Sequence, residues 1–299
     1  MVYTKDLKSF AARLAGSSPA PSTKFIFMNI FHSIILGIIE GITEFLPISS
    51  TGHIILLSHI LKIPETETLK SFSIIIQLGA ILAVVVLYFK ELFDFETIKK
   101  LFIAFLPTGI IGLTIYKIVK EYLLDNIFII ILSLFIGGLA MILIEKEYLR
   151  KNKYIKPEFD NKLKEESNIS LKIKEINYKK AFFLGLWQSL AMVPGISRSG
   201  ATIIGGLLMN LKRETIVKFS FLLAVPTMLA ATGYDILKNY KIFSTSDVLN
   251  ISIGFIISFI FALIFIKWLL NYIQKHNFII FGLYRILISI IFFIVFFVL

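Results

Sequence analysis

Two stretches of this chain gather ionisable and hydroxyl side chains among apolar neighbours. In the first, Glu40 and Glu44 stand four residues apart, so a helix presents both carboxylates on one face. Like charges this close in a low dielectric do not both stay ionised unaided; they call for a cation, a shared proton or a basic partner. An oxygen-only ligand pair suits Mg²⁺ or Ca²⁺ rather than a soft transition metal. The alternative is a pair of hydrogen-bonded glutamates that pack helices. Pro47-Ile48-Ser49-Ser50-Thr51-Gly52 follows at once, and then His53, nine residues beyond Glu44. Hydroxyls after such a break cap the next helix. Capping accounts for one or two of them, not for the whole cluster with a histidine, so Ser49, Ser50 and His53 read as site residues. His32, His59 and His276 lack such neighbours and read as structural.

The second stretch is Pro194-Gly195-Ile196-Ser197-Arg198-Ser199-Gly200-Ala201-Thr202. A permanent cation at Arg198, flanked by hydroxyls and opening a helix whose first N–H groups are free, is an anion site fitted to phosphate oxygens. A purely structural account instead pairs Arg198 with Glu40 or Glu44 as a buried ion pair. Set opposite each other, the two stretches leave room for a phosphate with a metal bridge. The nucleophile is then Ser50 activated by His53 or a glutamate, His53 itself, or a metal-held water; Ser50 with His53 as base is the favoured assignment.

The elements that must position these groups are membrane helices. Hydrophobic residues make up 57% of the 299 and charged residues only 17%, with a mean hydropathy of +0.82. Such a balance excludes a soluble globule, a disordered chain and a collagen. The absence of cysteine excludes thiolate chemistry and a disulfide scaffold. The net charge of +11 resides in loops rather than on a face interleaved with aromatics, which favours anionic lipid over nucleic acid as partner.

Six segments reach the roughly 20 apolar residues that a spanning helix needs: about 71–89, 101–119, 127–144, 219–237, 248–267 and 278–298. The regions 30–61 and 182–211 are also apolar, but each is broken in the middle by Pro, Gly and hydroxyl residues. Each therefore reads as a re-entrant helix-loop-helix pair. Lipid does not satisfy irregular backbone, so two such breaks imply a polar cavity.

A shift of 148 residues aligns Gly37 with Gly185, Glu40 with Gln188, Ile48 with Ile196, Ser49 with Ser197 and Gly52 with Gly200. The chain is thus a duplication. Three crossings per copy invert the second copy relative to the first. The expected fold is an all-α polytopic membrane protein, with six transmembrane helices plus two re-entrant pairs in two inverted-topology repeats. Residues 28–299 form one membrane domain, with repeat one at 28–144, a basic cytoplasmic loop at 145–180 and repeat two at 181–299. Residues 1–27 read as a leader or linker. Loops 90–100, 145–180, 212–218 and 267–277 share one face and carry 3, 11, 3 and 2 basic residues, which makes that face cytoplasmic.

The runs Glu40-Gly-Ile-Thr-Glu44-Phe-Leu-Pro47-Ile-Ser-Ser50-Thr-Gly-His53 and Pro194-Gly-Ile-Ser-Arg198-Ser-Gly-Ala-Thr202 resemble the two signature motifs of the undecaprenyl-diphosphate phosphatases, also called bacitracin-resistance proteins. The likeness covers about residues 30–299 and departs from the pattern in the leader and the long basic loop. It implies a multi-pass enzyme of the bacterial inner membrane. Such an enzyme hydrolyses undecaprenyl diphosphate to the monophosphate and inorganic phosphate, recycling the lipid carrier of cell-wall synthesis. The resemblance further implies a divalent cation on Glu40 and Glu44 and a tendency to form homodimers. It assigns the site to Glu40, Glu44, Ser49, Ser50, His53, Ser197, Arg198, Ser199 and Thr202. The rival readings are a transporter or flippase holding the same anion without breaking it, and a non-enzymatic scaffold, which gives no reason for buried charge at both breaks.

Overall fold

The computed structural model describes residues 28–64, 66–123, 126–152, 173, 175–239 and 245–298. The expected leader 1–27 and residues 153–172 and 174 of the basic segment lie outside the described residues. Among the described residues the regular elements are all helical.

Six helices are long and apolar enough to cross a membrane. They are α3 (Glu67–Leu87), α5 (Phe95–Ile118), α6 (Ile127–Asn152), α9 (Arg213–Asn239), α10 (Thr245–Lys275) and α11 (Ile279–Phe297), with a short α4 (Phe89–Leu92) between α3 and α5. Each expected span falls on one of them. Their outward faces expose Leu113, Ile136, Ile264 and Leu287, the surface that lipid rather than water covers. The chain is a multi-pass membrane protein.

Helix ends run further than hydropathy alone indicates. Segment 90–100 is not a loop: α5 starts at Phe95, capped by Asp94, whose Oδ2 accepts from the Thr97 N–H at 2.9 Å. Likewise α6 continues through 145–152. Glu145 is fully buried there and accepts from Arg213 Nε of α9 at 2.7 Å. A paired carboxylate lets the helix carry charge past its apolar stretch, which hydropathy alone does not register.

The two broken regions form short helix pairs: α1 (Ile30–Thr43) with α2 (Ser50–Ile60), and α7 (Tyr178–Ser189) with α8 (Arg198–Leu208). A 3₁₀ turn, Leu190–Met192, prolongs α7. The second helix of each pair has 11 residues, about 16 Å at a rise of roughly 1.5 Å per residue, half the thickness of a hydrocarbon core.

Each pair docks on a span distant in sequence, α1 on α10 and α7 on α5. Glycine allows the approach. A Cβ on Gly37 would meet the Gly254 carbonyl, and one on Gly185 the Ala104 carbonyl and the Pro107 ring. These two glycines are partners under the 148-residue shift, so the same device seats both pairs. Helices α6 and α11 cross each other, and α3 packs on α9. The largest buried cluster, including Phe45, Ile48, Ile203, Phe219 and Phe221, lies where the pairs meet α3, α6 and α9.

Candidate active site

The two breaks share one local conformation. Ser49 and Ser197 are N-caps of α2 and α8, with φ of 71° and 76°. Each hydroxyl oxygen accepts from the N–H three residues on, Gly52 at 3.4 Å and Gly200 at 3.1 Å. Positive φ at a non-glycine residue costs about 1–3 kcal/mol and persists where the surroundings over-determine it. Both tips carry that strain at the point where the chain turns into the second helix.

The tips touch. Ser199 Oγ donates to the Leu46 carbonyl at 3.0 Å and lies 3.1 Å from Ser197 Oγ, tying tip two to tip one. Between them is a cavity of about 160 Å³. Tip one lines it with Glu44, Ser49, Ser50 and Thr51, and tip two with Pro194, Gly195, Ser197 and Arg198. Gln77 of α3 and Met228 of α9 also face it.

Glu44 is the hub. Its Oε2 accepts from Ser50 Oγ at 2.5 Å, and its Oε1 lies 3.2 Å from Arg198 Nη2. The ion pair with Glu44 expected of a purely structural Arg198 is therefore present. It does not use up the guanidinium: Nη1 donates to the Ser220 carbonyl at 2.7 Å, while Nε is buried with no partner. The group also sits 5.8 Å over the Phe45 ring. A planar cation held in this way, facing a cavity lined with hydroxyls, is preorganised for a tetrahedral anion.

Glu40 lies one helical turn below Glu44, the two joined by the Glu44 N–H to Glu40 carbonyl bond of 2.9 Å. It is fully buried and no N–H or O–H group of the described residues donates to its carboxylate oxygens, while the Glu44 side chain lies within hydrogen-bonding reach of it. Glu44 and Arg198 are the charges that act on it. Two carboxylates beside one guanidinium call for a shared proton or a further cation, and buried oxygens that receive no donor are a ligand set that fits a hard divalent cation. Among the described residues no cluster of three or more His, Asp or Glu occurs. Further ligands for such an ion would come from hydroxyls, water or a bound phosphate, as Mg²⁺ commonly has.

His53 lies apart from this hub. Its Nδ1 donates to the Ser49 carbonyl at 2.8 Å, an oxygen that only accepts, so in the neutral ring Nε2 accepts from the Tyr284 hydroxyl at 2.8 Å. The rings stack 5.6 Å apart. Ser50 thus has Glu44, not His53, as its immediate acceptor. Thr202 Oγ1 donates to the carbonyl of Arg198 at 2.9 Å, securing the first turn of α8 rather than facing the cavity. Of the nine expected site residues, Glu44, Ser49, Ser50, Ser197 and Arg198 line the cavity, while Glu40, His53, Ser199 and Thr202 are not among its lining.

Sequence reasoning missed Gln77, Tyr284 and Arg285. A polar amide within the span 71–89 and a tyrosine-arginine pair within 278–298 were the available signals, since charge inside an apolar span is functional by default.

Residues 33–291 match the family model described as bacitracin resistance protein BacA. An undecaprenyl-diphosphatase of Sulfurihydrogenibium sp. (strain YO3AOP1) is 51% identical over 266 residues, 89% of this chain and 99% of that protein. Proteins of the same name from Persephonella marina (strain DSM 14350 / EX-H1) and Aquifex aeolicus (strain VF5) are 49% and 48% identical over 89% of this chain and 98% of theirs. With a match that takes in both tips and reaches into all six membrane helices, this chain belongs to the bacitracin resistance protein family.

Proposed function

We propose that this protein hydrolyses undecaprenyl diphosphate to undecaprenyl phosphate and inorganic phosphate in the bacterial inner membrane. What it would recycle is the lipid carrier of peptidoglycan synthesis, and the activity would confer bacitracin resistance. The observation that carries the reading is the Ser50–Glu44–Arg198 chain of contacts at the cavity, at 2.5 and 3.2 Å. It joins a hydroxyl, a base and an anion-holding cation in one place, and the relatives' shared name supports it.

The diphosphate enters between the tips with its prenyl chain left in lipid. Arg198, Ser197 and the free N–H groups of α8 hold its oxygens and stabilise charge that builds on them in the transition state. Glu44 takes the Ser50 proton as Oγ attacks the terminal phosphorus. The bridging P–O bond breaks, its electron pair leaves on the prenyl phosphate, and water then cleaves the phosphoserine to release inorganic phosphate. Glu40 and Glu44 would hold Mg²⁺ or Ca²⁺, which supplies charge neutralisation for the two phosphates. His53, braced by Tyr284, holds tip one rather than acting as the base for Ser50.

The reading includes an inverted duplication with two re-entrant pairs. Its support is the 148-residue self-match, the shared tip conformation and the equivalent docking of α1 on α10 and α7 on α5. The basic face is taken as cytoplasmic. The test is phosphate release from undecaprenyl diphosphate by purified protein, with and without EDTA. Binding of the lipid without any release of phosphate makes the protein a carrier and overturns the proposal.

A further inference from the structure

Arg285 is the seventh residue of α11, inside a membrane span, and is fully buried. Among the described residues no carboxylate pairs with it; its charge is met by carbonyl dipoles. Nη1 donates to Pro47 at 3.2 Å and Ile196 at 2.8 Å, and Nη2 to Gly195 at 2.9 Å and Ser133 at 3.1 Å. Nε donates to Leu134 at 3.3 Å. An arginine side chain has five N–H donors, and here five carbonyls receive them.

Three of those carbonyls belong to the tips. Pro47 is two residues before Ser49, and Gly195 and Ile196 immediately precede Ser197. The other two lie on α6, where Gly137 makes room: a Cβ there would overlap Arg285 Nη2 and come within 2.7 Å of Cζ. One rigid fork therefore spans both tips and a span helix at once. A buried cation satisfied only by these carbonyls ties the tips together, because moving either one strands a charged donor.

We infer that Arg285 is a positioning residue that sets the spacing of the two tips, and so the register of Ser50 against Arg198, without touching substrate. Its kinetic consequence rests on the phosphatase reading above. Lysine keeps the charge but offers a single point with three donors, so it does not bridge both tips. Misplacement of reacting groups by about 1 Å costs roughly 100-fold in turnover, with weaker effects on substrate capture.

The test uses Arg285→Lys and Gly137→Ala, the second leaving Arg285 in place but displacing its guanidinium. Gly233→Ala serves as control, since nothing lies within 4 Å of a Cβ there. Phosphate release is measured for each, with kcat and KM separated and normalised to folded protein. Because the chain has no cysteine, spin labels at Ile60→Cys and Leu208→Cys, on the exposed ends of α2 and α8, report the relative placement of the two pairs without reference to activity. Both variants are expected to lose kcat by about 30- to 100-fold with KM changed less than about 3-fold, and to broaden or shift a narrow label distance, while the control matches wild type. A label distance unchanged in both variants, or kcat within about 2-fold of wild type in both, overturns the inference. Wild-type protein that releases no phosphate overturns the phosphatase reading instead, and the label distances then decide the role of Arg285 alone.

Discussion

The two tips differ in chemistry while sharing a backbone. Under the 148-residue shift Ser49 matches Ser197 and Gly52 matches Gly200, and the cap geometry with φ near 71° and 76° recurs. At the positions between and around them the residues diverge: Glu40 against Gln188, Glu44 against Met192, Ser50 against Arg198, His53 against Ala201. Tip one holds the acids and the candidate nucleophile; tip two holds the cation. Two turns of like conformation thus serve as scaffolds, and the charge at the cavity is divided between them. The neutral residue at the matching position shows what the acid does differently. Gln188 gives its amide N–H groups to Thr108 and Thr227 at 3.2 and 3.0 Å, a packing role, whereas Glu40 has no N–H to give and its side chain lies against that of Glu44.

Substitutions that erase this division of labour are expected to have the largest effects. Ser50→Ala removes the proposed attacking oxygen and is expected to lower phosphate release by about 10⁴-fold or more; failure to trap a phosphorylated Ser50 in wild type, with the alanine variant still active, assigns attack to water instead. Arg198→Ala, which leaves tip two without its cation, is expected to cost about 10³-fold or more in kcat/KM, with lysine recovering part of it because a point charge lacks the bidentate fork. Glu40→Gln turns the first tip toward the second in charge. The expected result is a loss of about 100-fold in kcat, together with a blunted response to titrated Mg²⁺ or Ca²⁺; an unaltered metal dependence places the cation elsewhere. The smallest change is Tyr284→Phe, which removes one hydrogen bond to His53. It is expected to lower thermal stability by about 1 kcal/mol and turnover by less than about 10-fold, both measured on one detergent-purified preparation.

Much of this comparison is legible in the sequence alone. Pro47, Pro194 and the flanking glycines announce the breaks, and the six spans follow from runs of apolar residues, because both are local properties of the backbone and its solvent. The pairing of Ser50 was less readable. His53 and Glu44 are both close in sequence, and only the turn of tip one decides that Glu44 faces the hydroxyl while His53 turns to Tyr284, 231 residues away. Arg285 was visible as a charge in the last span, yet its partners are carbonyls, which every residue has and no sequence pattern marks.

The sequence by itself determined the membrane as solvent, the helices, the two breaks and the cast of charged groups, since hydropathy, proline and glycine act within a few residues. Tertiary structure decided which oxygen faces which proton and how far apart the tips stand. Those choices depend on contacts spanning 150 residues or more, such as Arg198 to Glu44 and Arg285 to Pro47. Their strength comes from burial, where an unmatched charge is costly enough to fix a geometry that no local preference specifies.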